Sequence, residues 1–332
     1  MVAYVDQDDL WLYEVGTDQP SRLTDDGDER IEGGPTFLGR GCVLYTSSDP
    51  TTIQLLQVSG AAPPLRVVEE EGYVHDLDVS PDGSSIVYLQ IDYDVDSTYR
   101  LKRVAASGGE PVVLYTFSQN GGRGAGSEDA VSVAWSPDGG MILVTNTHGS
   151  AFDFDEKKQS IFLLSPDGSE LAEPWTGTHA QWSPDGKSIY YRGYAGVNGQ
   201  DWYRLDVASM QAEKLGMRAG TNGLSISPDG KRAAYDTSYF GDFPLETKIT
   251  KETPVVYVYN LSTGNEILLK SNGLAPLWIS TSRLLVTNAK EPGYTLNSWD
   301  SLGTVSELSL DGKSSIVSMT STLFGAAVLV GG

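Results

Sequence analysis

Trp182-Ser183-Pro184-Asp185-Gly186-Lys187-Ser188-Ile189-Tyr190-Tyr191 sets a tight turn just ahead of an apolar, β-prone run. Proline presets φ, the aspartate carboxylate caps the turn, and glycine takes φ > 0, so the chain reverses within four residues. The unit recurs as Val79-Ser80-Pro81-Asp82-Gly83, Trp135-Ser136-Pro137-Asp138-Gly139 and Ile226-Ser227-Pro228-Asp229-Gly230. A fifth copy, Ser165-Pro166-Asp167-Gly168, falls inside a repeat and reads as the turn of a second hairpin.

Working outward, the residues just before each turn are Phe37, Val79, Trp135, Trp182, Ile226 and Trp278, at intervals of 42, 56, 47, 44 and 52 residues. That period is the length of a four-stranded propeller blade, with loops absorbing the variation. In the fifth repeat, strand a spans 178–182, b 188–192, c 202–207 and d 212–215. The first repeat has b, c and d over 1–6, 9–15 and 21–24, but no strand a. The stretch 323–330 follows the last strand d and puts Val328 where Trp278 sits relative to its own strand b. The expectation is all-β: one domain over 1–332, a seven-bladed β-propeller of four-stranded antiparallel blades. The C-terminal strand completes the N-terminal blade and closes the ring, which removes two exposed sheet edges.

Trp-Ser-Pro-Asp-Gly-Lys before an apolar strand resembles the WD40-like Pro-Asp repeat of TolB-type propellers. Asp9-Leu10-Trp11-Leu12, followed by Ser21-Arg22-Leu23-Thr24-Asp25-Asp26-Gly27, is similar to the c and d strands of that repeat. The resemblance covers essentially the whole chain. It implies the fold and a bacterial protein, and it leaves the function open. TolB carries an extra N-terminal α/β domain, and prolyl oligopeptidases and dipeptidyl peptidases add an α/β-hydrolase domain. The sequence shows neither, and it has no G-x-S-x-G elbow. It reads as a lone propeller or as a propeller cut from something larger.

The 332 residues carry a formal charge of -21. No basic stripe is present to neutralise phosphates, which argues against a nucleic-acid partner. The charge also opposes docking on anionic lipid. No apolar run reaches the roughly 18 residues of a membrane span, so no membrane insertion is expected. A monomer is expected. Residues 1–6 read as a strand, not a leader. The compartment is therefore periplasmic or extracellular if a leader was trimmed, and otherwise cytoplasmic. The single cysteine, Cys42, excludes an internal disulfide.

Alternation puts the short a–b and c–d turns on one face and the long b–c and d–a connections on the other. Long irregular loops at one end of a rigid scaffold are where binding residues collect. His75, His148 and His179 all map to that long-loop face. Three imidazoles on adjacent blades could form a metal or acid/base cluster, or each could satisfy a local backbone group. Asp92, Asp94 and Asp96 alternate as at the start of a calcium loop. Ser97 and Arg103 stand where an EF-hand needs glycine and glutamate, so the stretch is not one. Asp153 and Asp155 could complete a shared calcium or other divalent-metal site with it; the alternative is a solvated hairpin tip. Tyr239, Phe240, Phe243, Tyr294 and Trp299 lie in polar loops, where they could stack on a sugar or anchor a peptide, or simply pack the loop down.

Three functions remain open. The first is a binding module for a protein, peptide or glycan on the long-loop face, with no required cofactor. The second is a propeller enzyme, a polysaccharide lyase or hydrolase, possible with metal assistance, at the channel mouth. The third is the propeller domain of a larger peptidase.

Overall fold

The structure, a computed structural model, describes residues 1–6, 9–17, 19–25, 34–48, 51–59, 63–92, 98–118, 132–147, 159–194, 200–218, 222–237, 254–289, 302–311, 314–317 and 327–328. Blade 1 begins with β1 (Val2–Asp6), β2 (Asp9–Tyr13) and β3 (Ser21–Arg22). Blade 2 is β4–β7 (Thr36–Leu38, Cys42–Ser48, Thr51–Gln57, Leu65–Glu69). Blade 3 is β8–β11 (Tyr73–Val79, Ser85–Asp92, Thr98–Ala105, Val112–Ser118). Blade 4 is β12–β15 (Ser132–Trp135, Ile142–Thr147, Gln159–Leu164, Trp175–Thr176). Blade 5 is β16–β19 (Thr178–Trp182, Ser188–Tyr194, Gln200–Asp206, Gln211–Lys214). Blade 6 is β20–β23 (Asn222–Ile226, Arg232–Asp236, Val255–Asn260, Glu266–Ser271). Blade 7 is β24–β27 (Gly273–Trp278, Arg283–Ala289, Leu302–Ser309, Ser314–Val317). The last strand, β28 (Ala327–Val328), returns to blade 1 and pairs antiparallel with β1. The result is a propeller of seven four-stranded antiparallel blades, as the repeat predicts. Val328 faces Val2 as Trp278 faces Leu284, so the closing strand holds the expected register.

Successive strand residues point to opposite faces, so each blade offers one apolar layer to each neighbour. Among the described residues the buried apolar side chains sort into layers, one per blade interface. Ala3, Leu10 and Leu12 meet Val43, Tyr45 and Leu56 between blades 1 and 2. On the other face of blade 1, Val2, Tyr4 and Tyr13 meet Leu274, Leu285 and Val305 of blade 7. The closing interface is thus packed like the covalently continuous ones. A buried polar tie crosses it: the Tyr13 hydroxyl donates to Glu307 at 3.0 Å, and Glu307 also pairs with Arg283.

The Ser-Pro-Asp-Gly turns share one hydrogen-bond pattern. In blade 4, Ser136 Oγ donates to Asp138 at 2.6 Å and accepts the Met141 N–H at 2.9 Å. The Gly139 N–H reaches the Ser136 carbonyl at 2.9 Å, with Gly139 at φ 73°. Ser80, Ser183 and Ser227 repeat these contacts. The fifth copy, on the β14–β15 connection, makes equivalent bonds around Ser165 and Gly168, its serine hydroxyl accepting from a residue four rather than five positions on. The motif therefore encodes a turn, whichever hairpin uses it. The a–b turns also stack. A Cβ added to Gly186 would lie 3.3 Å from Pro137 of the preceding blade, and one on Gly139 3.5 Å from Pro81.

Ser136 is fully buried. Replacing it with alanine strands the Met141 N–H, and the expected loss is about 1–3 kcal/mol in chemical denaturation. The same change at the more open Ser165 should cost less, and equal losses would contradict the shared-turn account.

Candidate functional site: the central channel

The innermost strands β28, β4, β8, β12, β16, β20 and β24 line the axis and present a free edge to it. Their inward N–H and C=O groups have no further strand to pair with. Side chains from the preceding or following blade meet this need. On β8, Asp78 Oδ2 accepts the Trp135 N–H at 2.7 Å and Asp76 Oδ2 accepts the Val133 N–H at 2.8 Å. The residue just before each turn is its anchor, and the residue before the anchor repeats the move in blades 5 and 6. Gln181 Nε2 donates to the Leu224 carbonyl at 3.1 Å, and Ser225 Oγ accepts the Trp278 N–H at 3.2 Å. One strand further out, the buried Asp236 accepts the Ala275 N–H at 2.8 Å. Between blades 4 and 5 the Trp182 indole N–H donates to the Ala134 carbonyl at 3.3 Å, so blades 3 to 7 are tied along the axis by polar side-chain groups on main-chain groups.

These ties have electrostatic consequences. Burial raises the Asp76 pKa to about 7; its bond from Val133 opposes the shift and Asp78 adds to it. Burial likewise raises Asp78 to about 6, against its bonds from Trp135 and Val79. Both side chains keep partial contact with water, which softens the penalty without reversing its direction.

The upper half of the channel wall is also distorted. The pairing of strands a and b slips between Val74 and Asp76, Thr178 and Gln181, Asn222 and Ser225, and Leu274 and Leu277. Three consecutive blades carry left-handed backbone three residues before the anchor: His179 at φ 54°, Gly223 at 59° and Ala275 at 48°. Glycine suits the middle site because a Cβ there would strike the Asp236 carboxylate. His179 and Ala275 hold this conformation at a cost of order 1–3 kcal/mol each.

The histidine and aromatic candidates fare unequally. His179 is solvent-exposed by area although protein surrounds it, as befits the head of a channel strand. Desolvation, then the charge of buried Arg192, lowers its pKa to about 4; its Nδ1 lies 3.0 Å from Thr178 Oγ1. It is a neutral imidazole at pH 7. His75 occupies the slipped position of β8, and His148 lies outside the described residues. Asp92 ends β9, with Arg100 at 3.7 Å. Asp94, Asp96, Asp153, Asp155, Tyr239, Phe240, Phe243, Tyr294 and Trp299 all lie outside the described residues. Among the described residues no group of three or more histidine, cysteine or acidic side chains converges as a metal site would. Asp76, Asp78, Gln181, Ser225, Arg192 and Asp236 were not singled out by sequence. Their common signal is a polar residue at a fixed offset from the anchor, or from its strand b partner.

A cavity of about 420 Å³ occupies the short-turn end of the channel, between Pro137, Gln181, Trp182, Pro184, Ser225, Ile226, Pro228, Leu277 and Trp278. A second, of about 280 Å³, lies beside it between blades 5 and 6, against Asp185, Tyr190, Arg204 and Asp229.

No protein-family profile matches the chain, and no curated protein sequence does. Solved structures do. An oligogalacturonate lyase in complex with manganese is 17% identical at a TM-score of 0.63, covering 84% of this chain and 79% of that one. TolB from Acinetobacter baumannii is 17% identical at a TM-score of 0.53, covering 98% and 80%. A puromycin-hydrolyzing peptidase of Mycobacterium tuberculosis is 14% identical at a TM-score of 0.61; 97% of this chain matches 54% of that one. At these identities the likeness is one of fold, and the fold is shared by TolB, a lyase and the propeller part of a peptidase.

The raised carboxylates predict a pH effect. A proton is held more tightly folded (about 7 and 6) than unfolded (about 4), so their contribution to stability is full below about pH 4. It is lost as pH rises through 6 to 7. His179 acts oppositely: its contribution is full above about 6.5 and lost as pH falls toward 4. Subtracting wild-type stability from that of Asp76→Asn/Asp78→Asn cancels the histidine. The difference should be near zero at pH 4 and should grow in the variant's favour up to pH 8. A flat difference in urea titrations would contradict the burial argument.

Proposed function

We propose that this propeller is a binding module that holds a protein, peptide or glycan at its axis on the long-loop face. The observation that carries the reading is how the channel carboxylates are used. Asp76, Asp78 and Asp236 each accept a main-chain N–H of the next blade. A carboxylate fixed in that way braces a scaffold. Tyr239, Phe240, Phe243, Tyr294 and Trp299 are the proposed contacts, since aromatic side chains supply much of the binding energy at such surfaces. The protein's compartment, periplasmic or extracellular or else cytoplasmic, and its monomeric state belong to the same proposal.

A second reading, a lyase or hydrolase with divalent-metal assistance, draws on the manganese-bound lyase among the similar folds. It also draws on His179, a neutral imidazole open to the channel on strained backbone. A third, the propeller part of a larger peptidase, draws on the peptidase likeness.

Glycan and peptide arrays test the first reading directly. Phe240→Ala and Trp299→Ala should each weaken a hit by about tenfold or more, the cost of a modest hot spot. Unchanged affinity would remove the proposed face. Elemental analysis of the wild type and of a His75→Ala/His148→Ala/His179→Ala variant separates the second. Stoichiometric metal in the wild type that is lost in the variant favours the enzyme. Binding that survives in the variant without metal favours the module.

A further inference from the structure

The short-turn face has a build of its own, separate from the long loops. Its a–b turns stack, with the glycine of one blade facing the proline of the blade before: Gly139 on Pro81, Gly186 on Pro137, Gly230 on Pro184. The stacking sets Asp82, Asp138, Asp185 and Asp229 in an arc around the channel mouth. Each is held in its ionised form. Serine and backbone donors pull Asp82 down to about 2 and lower Asp138 and Asp185. Asp229 is lowered too, its serine and backbone bonds outweighing its desolvation.

The arc is lopsided. Lys187 and Lys231 follow the carboxylates of blades 5 and 6 by two residues, whereas Ser84 and Gly140 take that place on blades 3 and 4. Arg204 pairs with Glu213, Arg232 donates to the Thr281 carbonyl, and Arg40 ends the arc on the blade 2 side. Of the four carboxylates, those of Asp82 and Asp138 are the two with no lysine two residues on.

Inside the arc lies the 420 Å³ cavity, with Trp182, Ile226, Leu277, Trp278 and three prolines forming a largely apolar wall. Trp278 is 3% exposed, and its indole N–H has no acceptor among the described residues. An apolar pocket of this volume takes one large side chain, and the carboxylates beside it favour basic neighbours on the same segment.

We propose that the short-turn mouth docks a cationic polypeptide segment of a second protein. One apolar side chain enters the cavity, and flanking lysines or arginines lie over Asp82 and Asp138. The surface is independent of the long-loop face and of the ligand proposed there.

The test is fluorescence anisotropy with a fluorescein-labelled peptide, Gly-Lys-Lys-Phe-Lys-Lys-Gly. The intact chain should bind it and should reject Gly-Glu-Glu-Phe-Glu-Glu-Gly. Affinity should fall with salt. Asp82→Asn/Asp138→Asn, which keeps each turn's capping oxygen, should weaken binding about fivefold, the worth of two exposed ion pairs. Asp167→Asn/Asp206→Asn makes the same charge change on the outer turns and should leave affinity unchanged. Ser225→Trp fills the cavity and should abolish binding. Should that variant not fold, Gly-Lys-Lys-Gly-Lys-Lys-Gly tests the cavity from the peptide's side and should bind at least fivefold more weakly. Phe240→Ala/Trp299→Ala should bind as the wild type does. The proposal is overturned by absence of wild-type binding, by equal weakening from the two aspartate pairs, by equal affinity for the acidic peptide or the peptide without phenylalanine, or by loss of binding in the long-loop variant.

Discussion

The seam between β28 and β1 is the constraint on which the rest of this molecule depends. Six blades are continuous stretches of chain, each with an innermost strand leading into its own outer strands. Blade 1 alone is assembled from both ends of the chain, through the pairs Val2–Val328 and Ala3–Ala327. Without that pairing blade 1 would lack its innermost strand, and β1 would face the axis as an open edge. With it, blades 7 and 1 are placed to pack Leu274, Leu285 and Val305 on Val2 and Tyr4, and to set Tyr13 on Glu307.

Closure also explains why the axis is polar in so particular a way. Seven innermost strands around one channel cannot pair with each other, so their inward main-chain groups need other partners. Asp76, Asp78, Gln181, Ser225 and Asp236 supply them, always across a blade boundary. The left-handed residues His179, Gly223 and Ala275 sit where the strand pairing slips, at the same offset before the turn as Asp76. The fixed backbone and the strained positions give the channel a rigid, preformed wall.

Much of the fold was legible because its determinants are local. Ser-Pro-Asp-Gly forms its turn from bonds spanning five residues or fewer, which is why Ser165 to Gly168 folds the same way in a different hairpin. The anchor spacing and the position of Val328 followed from the same periodicity. The site was less legible because its partners are distant. Asp78 matters only when Trp135, 57 residues on, is set beside it. His179 was visible as a histidine at the head of an innermost strand. Its left-handed backbone and its neighbour Arg192 belong to the slipped pairing with β17, which no local pattern announces. The aromatic and most of the acidic candidates lie on connections outside the described residues, so their reading rests on loop composition alone.

Differential scanning calorimetry of the full chain beside a chain ending at residue 317 tests the closure account most directly. The full chain should melt in one cooperative transition. The shortened chain, lacking β28, should melt about 5 °C lower or more, the shift of a few kcal/mol in a chain of this size, with blades 7 and 1 loosening first. An unchanged melting temperature and a single unaltered transition would show that the ring does not depend on its seam.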